Sequence, residues 1–142
     1  MRNNILVVAA HPDDDAIGCA GAILRHKRSG DPVHVLYLTD GIGSRENIDA
    51  EAFASRSKGS QSAIELLGYD SVENLMYDDN RLDDVVLLDV VQKIEGVIHK
   101  IQPSIIYTHH PSDLNIDHRR AYEATMTAAR PQPGYCVKEV YL

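Results

Sequence analysis

Apolar residues along this chain follow two alternating rhythms. Short, nearly unbroken runs occupy 4–10 (NILVVAA), 33–39 (VHVLYLT), 72–77 (VENLMY), 104–109 (SIIYTH) and 136–142 (CVKEVYL). Between them, over 16–29, 49–68, 83–101 and 118–130, apolar positions recur at steps of three and four, the helical spacing. The segment Leu82–Ile101 shows it best, with Val85, Leu88, Val91, Ile94, Ile98 and Ile101 on one stripe. Gly30-Asp31-Pro32 and Gln102-Pro103 punctuate two helix-to-strand connections. The first run is apolar at successive positions, as a strand covered on both faces must be. Strict alternation of strand and helix predicts an α/β fold: a three-layer, Rossmann-like, mostly parallel sheet with helices on both faces.

A length of 142 residues reads as a single domain, 1–142, able to bury about 68–70% of its unfolded surface. The final run either closes the sheet or precedes further elements. A net charge of −7 with no basic stripe argues against a nucleic-acid or anionic-membrane partner. The densest basic cluster, Arg25 to Arg28, reads as the solvated end of a helix. Cys19 and Cys136 form neither a disulfide framework nor a CxxC metal motif, and read as buried, reduced thiols. Only six apolar residues precede His11, too few for a secretory core, and no run approaches a membrane span. The expected location is cytoplasmic, and the pattern leaves a homo-oligomer open.

Charge becomes chemistry at two places. The first strand runs into His11-Pro12-Asp13-Asp14-Asp15, and ligands in open α/β sheets bind at the carboxyl ends of strands. A helix cap needs one acid and does not need His11. The segment 105–120, IIYTHHPSDLNIDHRR, repeats the logic: a strand, then His109, His110, Asp113, Asn115, Asp117 and His118 leading into a helix. In a parallel sheet both loops emerge at one edge. Two imidazoles and a carboxylate (His11, His118 and either Asp13 or Asp14) make a three-ligand set that leaves a position for water, as in catalytic zinc sites. Two histidines and a carboxylate also suit Fe(II). Asp117 reads either as the partner that orients an imidazole or as a helix N-cap.

AHPDD after the first strand, with DH opening a helix about a hundred residues later, resembles the LmbE-like/PIG-L family of zinc-dependent N-deacetylases. The likeness extends to Thr39-Asp40-Gly41, to Arg56 ahead of Leu67-Gly68, and to the closing VKEVYL. It implies one Zn²⁺ held by His11, Asp14 and His118, with Asp13 as general base and Arg56 contacting substrate. It also implies removal of an acetyl group from an N-acetylated amino sugar or sugar conjugate.

The chain departs from the family pattern in two residues. Asp15 stands where the family commonly carries Glu. Asn115 stands where it often carries the histidine that donates to the oxyanion, a role that Asn115, His109 or His110 could fill here. Asp15, Asp40, His109, His110, Asp113 and Asp117 are expected around the metal or on the pocket rim. Tyr77-Asp78-Asp79-Asn80 follows a weak strand and reads either as part of the pocket rim or, preferentially, as a solvated loop, and Gly41-Ile42-Gly43-Ser44 as a rim loop without the GxGxxG spacing. Gly18, Ala20 and Gly21 are expected to let the first helix approach the sheet closely. Two alternatives stand beside the deacetylase: a metal-binding homologue with weak turnover, and a nucleotide-binding Rossmann-like domain. Acids rather than a phosphate-cradling glycine loop after the first strand weigh against the second.

Overall fold

The computed structural model describes residues 2–43 and 50–142, apart from the side chains of 50–53 and 55–57. Its strands are β1 (Ile5–Ala9), β2 (Val33–Thr39), β3 (Ser71–Tyr77), β4 (Ile105–Tyr107) and β5 (Glu139–Tyr141). Its helices are α1 (Asp14–Gly18), α2 (Ala20–Arg28), α3 (Ala50–Leu67), α4 (Leu87–Ile101) and α5 (Ile116–Ala128). The strands form one sheet in the order β3-β2-β1-β4-β5, parallel at every pairing. This is the expected Rossmann-like arrangement, with no antiparallel strand among the described residues.

Alternation along the strands builds two cores. Leu6, Val8, Leu36, Leu38 and Ile106 face Val90, Val91 and Ile94 of α4 and Ala121 and Ala124 of α5. Ile5, Val7, Val33, Val35 and Tyr37 face Ile23 of α2 and Leu67 of α3. Because β1 lies under both layers, it reads as a continuous apolar run. The chain fills the β2 side of β1 first and then returns to β4 on the other side. The carboxyl ends of β1 and β4 are therefore the topological switch point, where such sheets bind ligands.

Four local expectations are corrected. The segment 16–29 is not one helix: it breaks at Cys19, whose φ of −135° is non-helical, directly after Gly18. The helix over 83–101 starts only at Leu87, because Asn80 and Leu82 donate their backbone N–H groups to Asp117 and pin the preceding loop. Gly18 and Gly21 do not mediate close approach, since a Cβ at either would meet nothing within 4 Å. That role belongs to Gly41: its φ is +67°, and a Cβ there would lie 2.7 Å from Pro12 Cδ. The loop after β2 thus packs directly against the loop after β1. The cysteines are both unpaired, but half-buried rather than buried.

Candidate metal centre

The centre starts from how β1 ends. The Ala10 carbonyl accepts both the backbone N–H and the hydroxyl of Thr39, each at 2.9 Å, while Ala10 N–H donates to His109 Nε2 at 2.8 Å. This one residue ties together the exits of β1, β2 and β4. His11 follows it and is buried. Asp14 Oδ2 accepts the His11 backbone N–H at 2.8 Å, folding the loop back over the strand end. From the other side, α5 begins with Asn115 as N-cap, its side-chain oxygen accepting Asp117 N–H at 2.8 Å. That cap aims the first turn of α5, with Asp117 and His118, at His11.

Three side chains from the two loops converge. His11 Nδ1 lies 3.1 Å from Asp14 Oδ2 and 3.2 Å from His118 Nε2, and His118 Nε2 lies 3.3 Å from Asp14 Oδ1. Ligands about 2.0–2.2 Å from one tetrahedral ion stand about 3.3 Å from each other, so this set fits a zinc-sized cation. The outer nitrogens are held by carboxylates. His11 Nε2 is 3.2 Å from Asp117 Oδ2 and 3.2 Å from Asp79 Oδ1, and His118 Nδ1 is 2.9 Å from Asp113 Oδ2. A histidine that donates its outer N–H to a carboxylate presents the lone pair of the other nitrogen inward, as metal-binding histidines do.

Electrostatics favour positive charge at this point. Burial alone would lower the pKa of His11, but hydrogen bonds to Asp117 and Asp14 and the charges of Asp14 and Asp79 push it up to about 10. His118 rises for the same reason: burial opposes it, and its hydrogen bonds to Asp14 and Asp113 prevail. Burial would raise Asp14, yet the imidazoles around it hold its carboxyl well below the usual range. Four carboxylates around two imidazoles make this point strongly negative, which favours a divalent cation once the imidazoles give up their extra protons.

Other candidate residues fall in distinct places. Asp13 is the N-cap of α1, is half-buried, and makes no side-chain capping bond. Asp117 is not the cap of α5; it is fully buried, accepting from Asn80 and Leu82 and holding His11. Asp113 also accepts Asn115 N–H at 2.9 Å. Asp40 turns the loop after β2 by accepting Ile42 N–H at 3.0 Å. Asp15 is buried below the site and accepts the Tyr69 hydroxyl. His109 stacks on His118 with ring centroids 4.0 Å apart. Burial, above all, lowers its pKa to about 4, and its Nε2 accepts Ala10 N–H. The ring is therefore neutral, with its proton on Nδ1, so any hydrogen bond it donated would lack charge assistance. His110 is exposed and bonded to Ser112 of its own loop. The Arg56 side chain and Ser44 lie outside the described residues.

Asp79 is the contact that sequence reasoning missed. The segment 77–80 was expected to be solvated, yet Asp79 is 7% exposed and faces His11 Nε2. Its signal was position, since it follows a strand that ends at the same edge as His11. Cys19 is no nucleophile: burial and the neighbouring Asp15 and Asp14 charges push its thiol up to about 12.

Residues 6–129 match the PIG-L family, described as GlcNAc-PI de-N-acetylase. The chain is 30% identical to the uncharacterized deacetylase YaiS of Escherichia coli K12, over 99% of this chain and 77% of YaiS. Its fold matches N,N'-diacetylchitobiose deacetylase from Pyrococcus horikoshii with a TM-score of 0.77 and 26% identity, over 89% of this chain and 49% of that one. It also matches GalB, the 4-carboxy-2-hydroxymuconate hydratase of Pseudomonas putida KT2440, with a TM-score of 0.74 and 28% identity, over 91% of this chain and 56% of that one. The chain thus spans about half the length of these two solved neighbours. It belongs to the PIG-L (LmbE-like) family.

Proposed function

We propose that this chain is a metal-dependent N-deacetylase that removes an acetyl group from an N-acetylated amino sugar or sugar conjugate, with Zn²⁺ as the metal. The observation that carries this reading is the convergence of His11, Asp14 and His118 within 3.3 Å of one another, with Asp13 beside them in sequence. His11 Nδ1, an Asp14 carboxylate oxygen and His118 Nε2 would hold the ion. When bound, such an ion supplies Lewis acidity toward the amide carbonyl and eases the ionisation of water at neutral pH.

The rest is work for the chain's own groups. Asp13 takes a proton from the attacking water as its oxygen bonds to the acetyl carbon. When the C–N bond breaks, Asp13 returns that proton to the departing nitrogen, leaving acetate and an amine. Asp117 and Asp113 keep the two imidazoles in the required tautomer. Asn115 donates to the oxyanion in this reading, with His109 and His110 of the same loop as the alternatives. The Asn115 side-chain oxygen caps α5, which orients the amide group and leaves donation to the NH₂. Arg56 contacts substrate in this reading, on the strength of the family motif. Among the described residues no helix is long and apolar enough to cross a membrane.

The likeness to GalB supplies a second reading, addition of water across a carbon–carbon double bond. The test is a screen of zinc-loaded protein against N-acetylglucosamine conjugates, following acetate and primary amine together. Stoichiometric release of both supports deacetylation. Failure with every conjugate, together with hydration of an unsaturated tricarboxylate, would replace it.

A further inference from the structure

We propose that Asp15 is a positioning residue: its buried carboxylate, hydrogen-bonded by the Tyr69 phenol, fixes the first turn of α1 so that Asp14 meets His11 and His118. This inference rests on the metal-site reading above and concerns a residue that makes no contact with the metal set.

The argument begins with how little α1 can do for itself. It has five residues, far below the length at which a helix is stable alone. Its N-cap, Asp13, makes no side-chain capping bond, and the helix breaks at Cys19 before α2 begins. Yet Asp14, in its first turn, must hold one position against three imidazoles, with His11, His118 and His109 nitrogens at 3.1, 3.3 and 3.4 Å. Something outside the helix has to fix its rotation.

Asp15 is the residue placed to do so. It is 2% exposed, and adjacent helix positions diverge by about 100°, so it faces the sheet while Asp14 faces the ligands. Its Oδ2 accepts the hydroxyl of Tyr69, which lies between α3 and β3. Tyr37, on β2, also reaches this carboxylate: burial first, then the Asp15 charge and a hydrogen bond to Asp15, hold its hydroxyl protonated. Oδ1 is buried with no hydrogen-bond partner. A carboxylate so sparsely satisfied is a poor source of stability compared with an apolar side chain of similar size. What it offers in return is direction. A charge-assisted hydrogen bond fixes an angle as well as a contact, whereas apolar packing alone would let a five-residue helix turn. Asp15 stands where the family commonly carries Glu, and here the Tyr69 hydroxyl meets the shorter side chain.

The experiment measures Zn²⁺ affinity by competition with a chromophoric chelator, alongside urea unfolding of the metal-free protein. It compares wild type, Tyr69→Phe, Asp15→Leu and Asp15→Asn. Tyr69→Phe and Asp15→Leu are expected to bind zinc about tenfold more weakly, the lower end of what partners of metal ligands contribute. Asp15→Asn, which keeps an acceptor for Tyr69, should recover part of that loss. A merely stabilising role would move the unfolding midpoint and leave affinity alone. If Asp15→Leu does not fold, Tyr69→Phe decides. Wild-type affinity in the folded variants overturns this inference alone, whereas wild type that binds no zinc overturns the metal site with it.

Discussion

Among the described residues, a histidine–carboxylate cluster lies at each edge of this sheet, and the one at the carboxyl edge has ligand atoms that could hold an ion. At the carboxyl edge, His11 and His118 each turn one nitrogen to a carboxylate and the other toward a common point. Near the amino edge, His26 Nδ1 pairs with Asp31 Oδ2 at 2.8 Å and its Nε2 with the Tyr107 hydroxyl at 3.0 Å. Asp31 Oδ1 accepts Asn3 N–H at 2.9 Å. Both nitrogens of His26 are engaged by partners that converge on nothing further. The cluster therefore braces α2 against β4 and the chain entering β1. A histidine beside an aspartate is common to both places; a second nitrogen aimed at other ligands belongs only to the first.

Substitutions can break this contrast, and the largest effect is expected at His118. His118→Ala should lower zinc affinity by more than a hundredfold and abolish turnover, while His26→Ala leaves zinc affinity within a factor of two or so of wild type. Equal losses in a chelator competition would show that the two clusters do not differ in kind. Next comes the split within the acidic triplet. Asp13→Asn should keep the metal and lose about 10²–10⁴ in turnover, whereas Asp14→Asn should lose the metal. A reversed order in metal titration would swap the two roles.

The carboxylates behind the imidazoles come third. Asp113→Asn and Asp117→Asn should each weaken metal binding about 10–100-fold by releasing a ring. Zinc affinity equal to wild type in both would reduce these aspartates to packing.

The amino-edge cluster has its own signature. The His26 hydrogen bond, ahead of the opposing effect of burial, holds the Asp31 carboxyl below its usual range. A depressed folded-state pKa adds stability that is present above the unfolded value near 3.9 and is lost as pH falls through the folded one. Asp31→Asn should therefore destabilise by about 1–2 kcal/mol at pH 7, with the gap to wild type closing in acid. A gap of the same size at pH 7 and pH 2.5 in urea titrations would refute it. The smallest effect is expected for Asn115→Ala, about 1 kcal/mol from the lost α5 cap. Any fall in turnover beyond what lower metal occupancy explains would measure its donation to substrate.

This contrast also bounds what the chain reveals before it folds. Parallel alternation, the apolar β1 run and the two polar loops at one edge were legible, because strand period and strand ends are local properties. So were His11, His118 and one of Asp13 and Asp14 as a set that could meet, while the choice of Asp14 came from the family resemblance. What the residues could not show is which carboxylate serves which ring. Asp117 and Asp79 reach His11 from different loops, and nothing in YDDN distinguishes a buried aspartate from a solvated one until β3 pairs with β2. Neutral His109 was equally hidden, because its state depends first on a burial that only the folded sheet provides. The break at Cys19 was missed because apolar spacing continues across it while the backbone does not.

The separation of 107 residues between His11 and His118 has a consequence for how the molecule assembles. The two come together only when β4 docks beside β1, with Ile5 opposite Ile105 and Val7 opposite Tyr107. Such distant pairing is slow to form, since chain entropy is lost before the contact is gained. In the disordered chain His11 and Asp14 are close neighbours, but the third ligand is remote, so an ion gains its full hold only late. It then acts as a latch on the last long-range pairing. Added zinc should leave early folding rates nearly unchanged and chiefly slow the reopening of the β1–β4 seam.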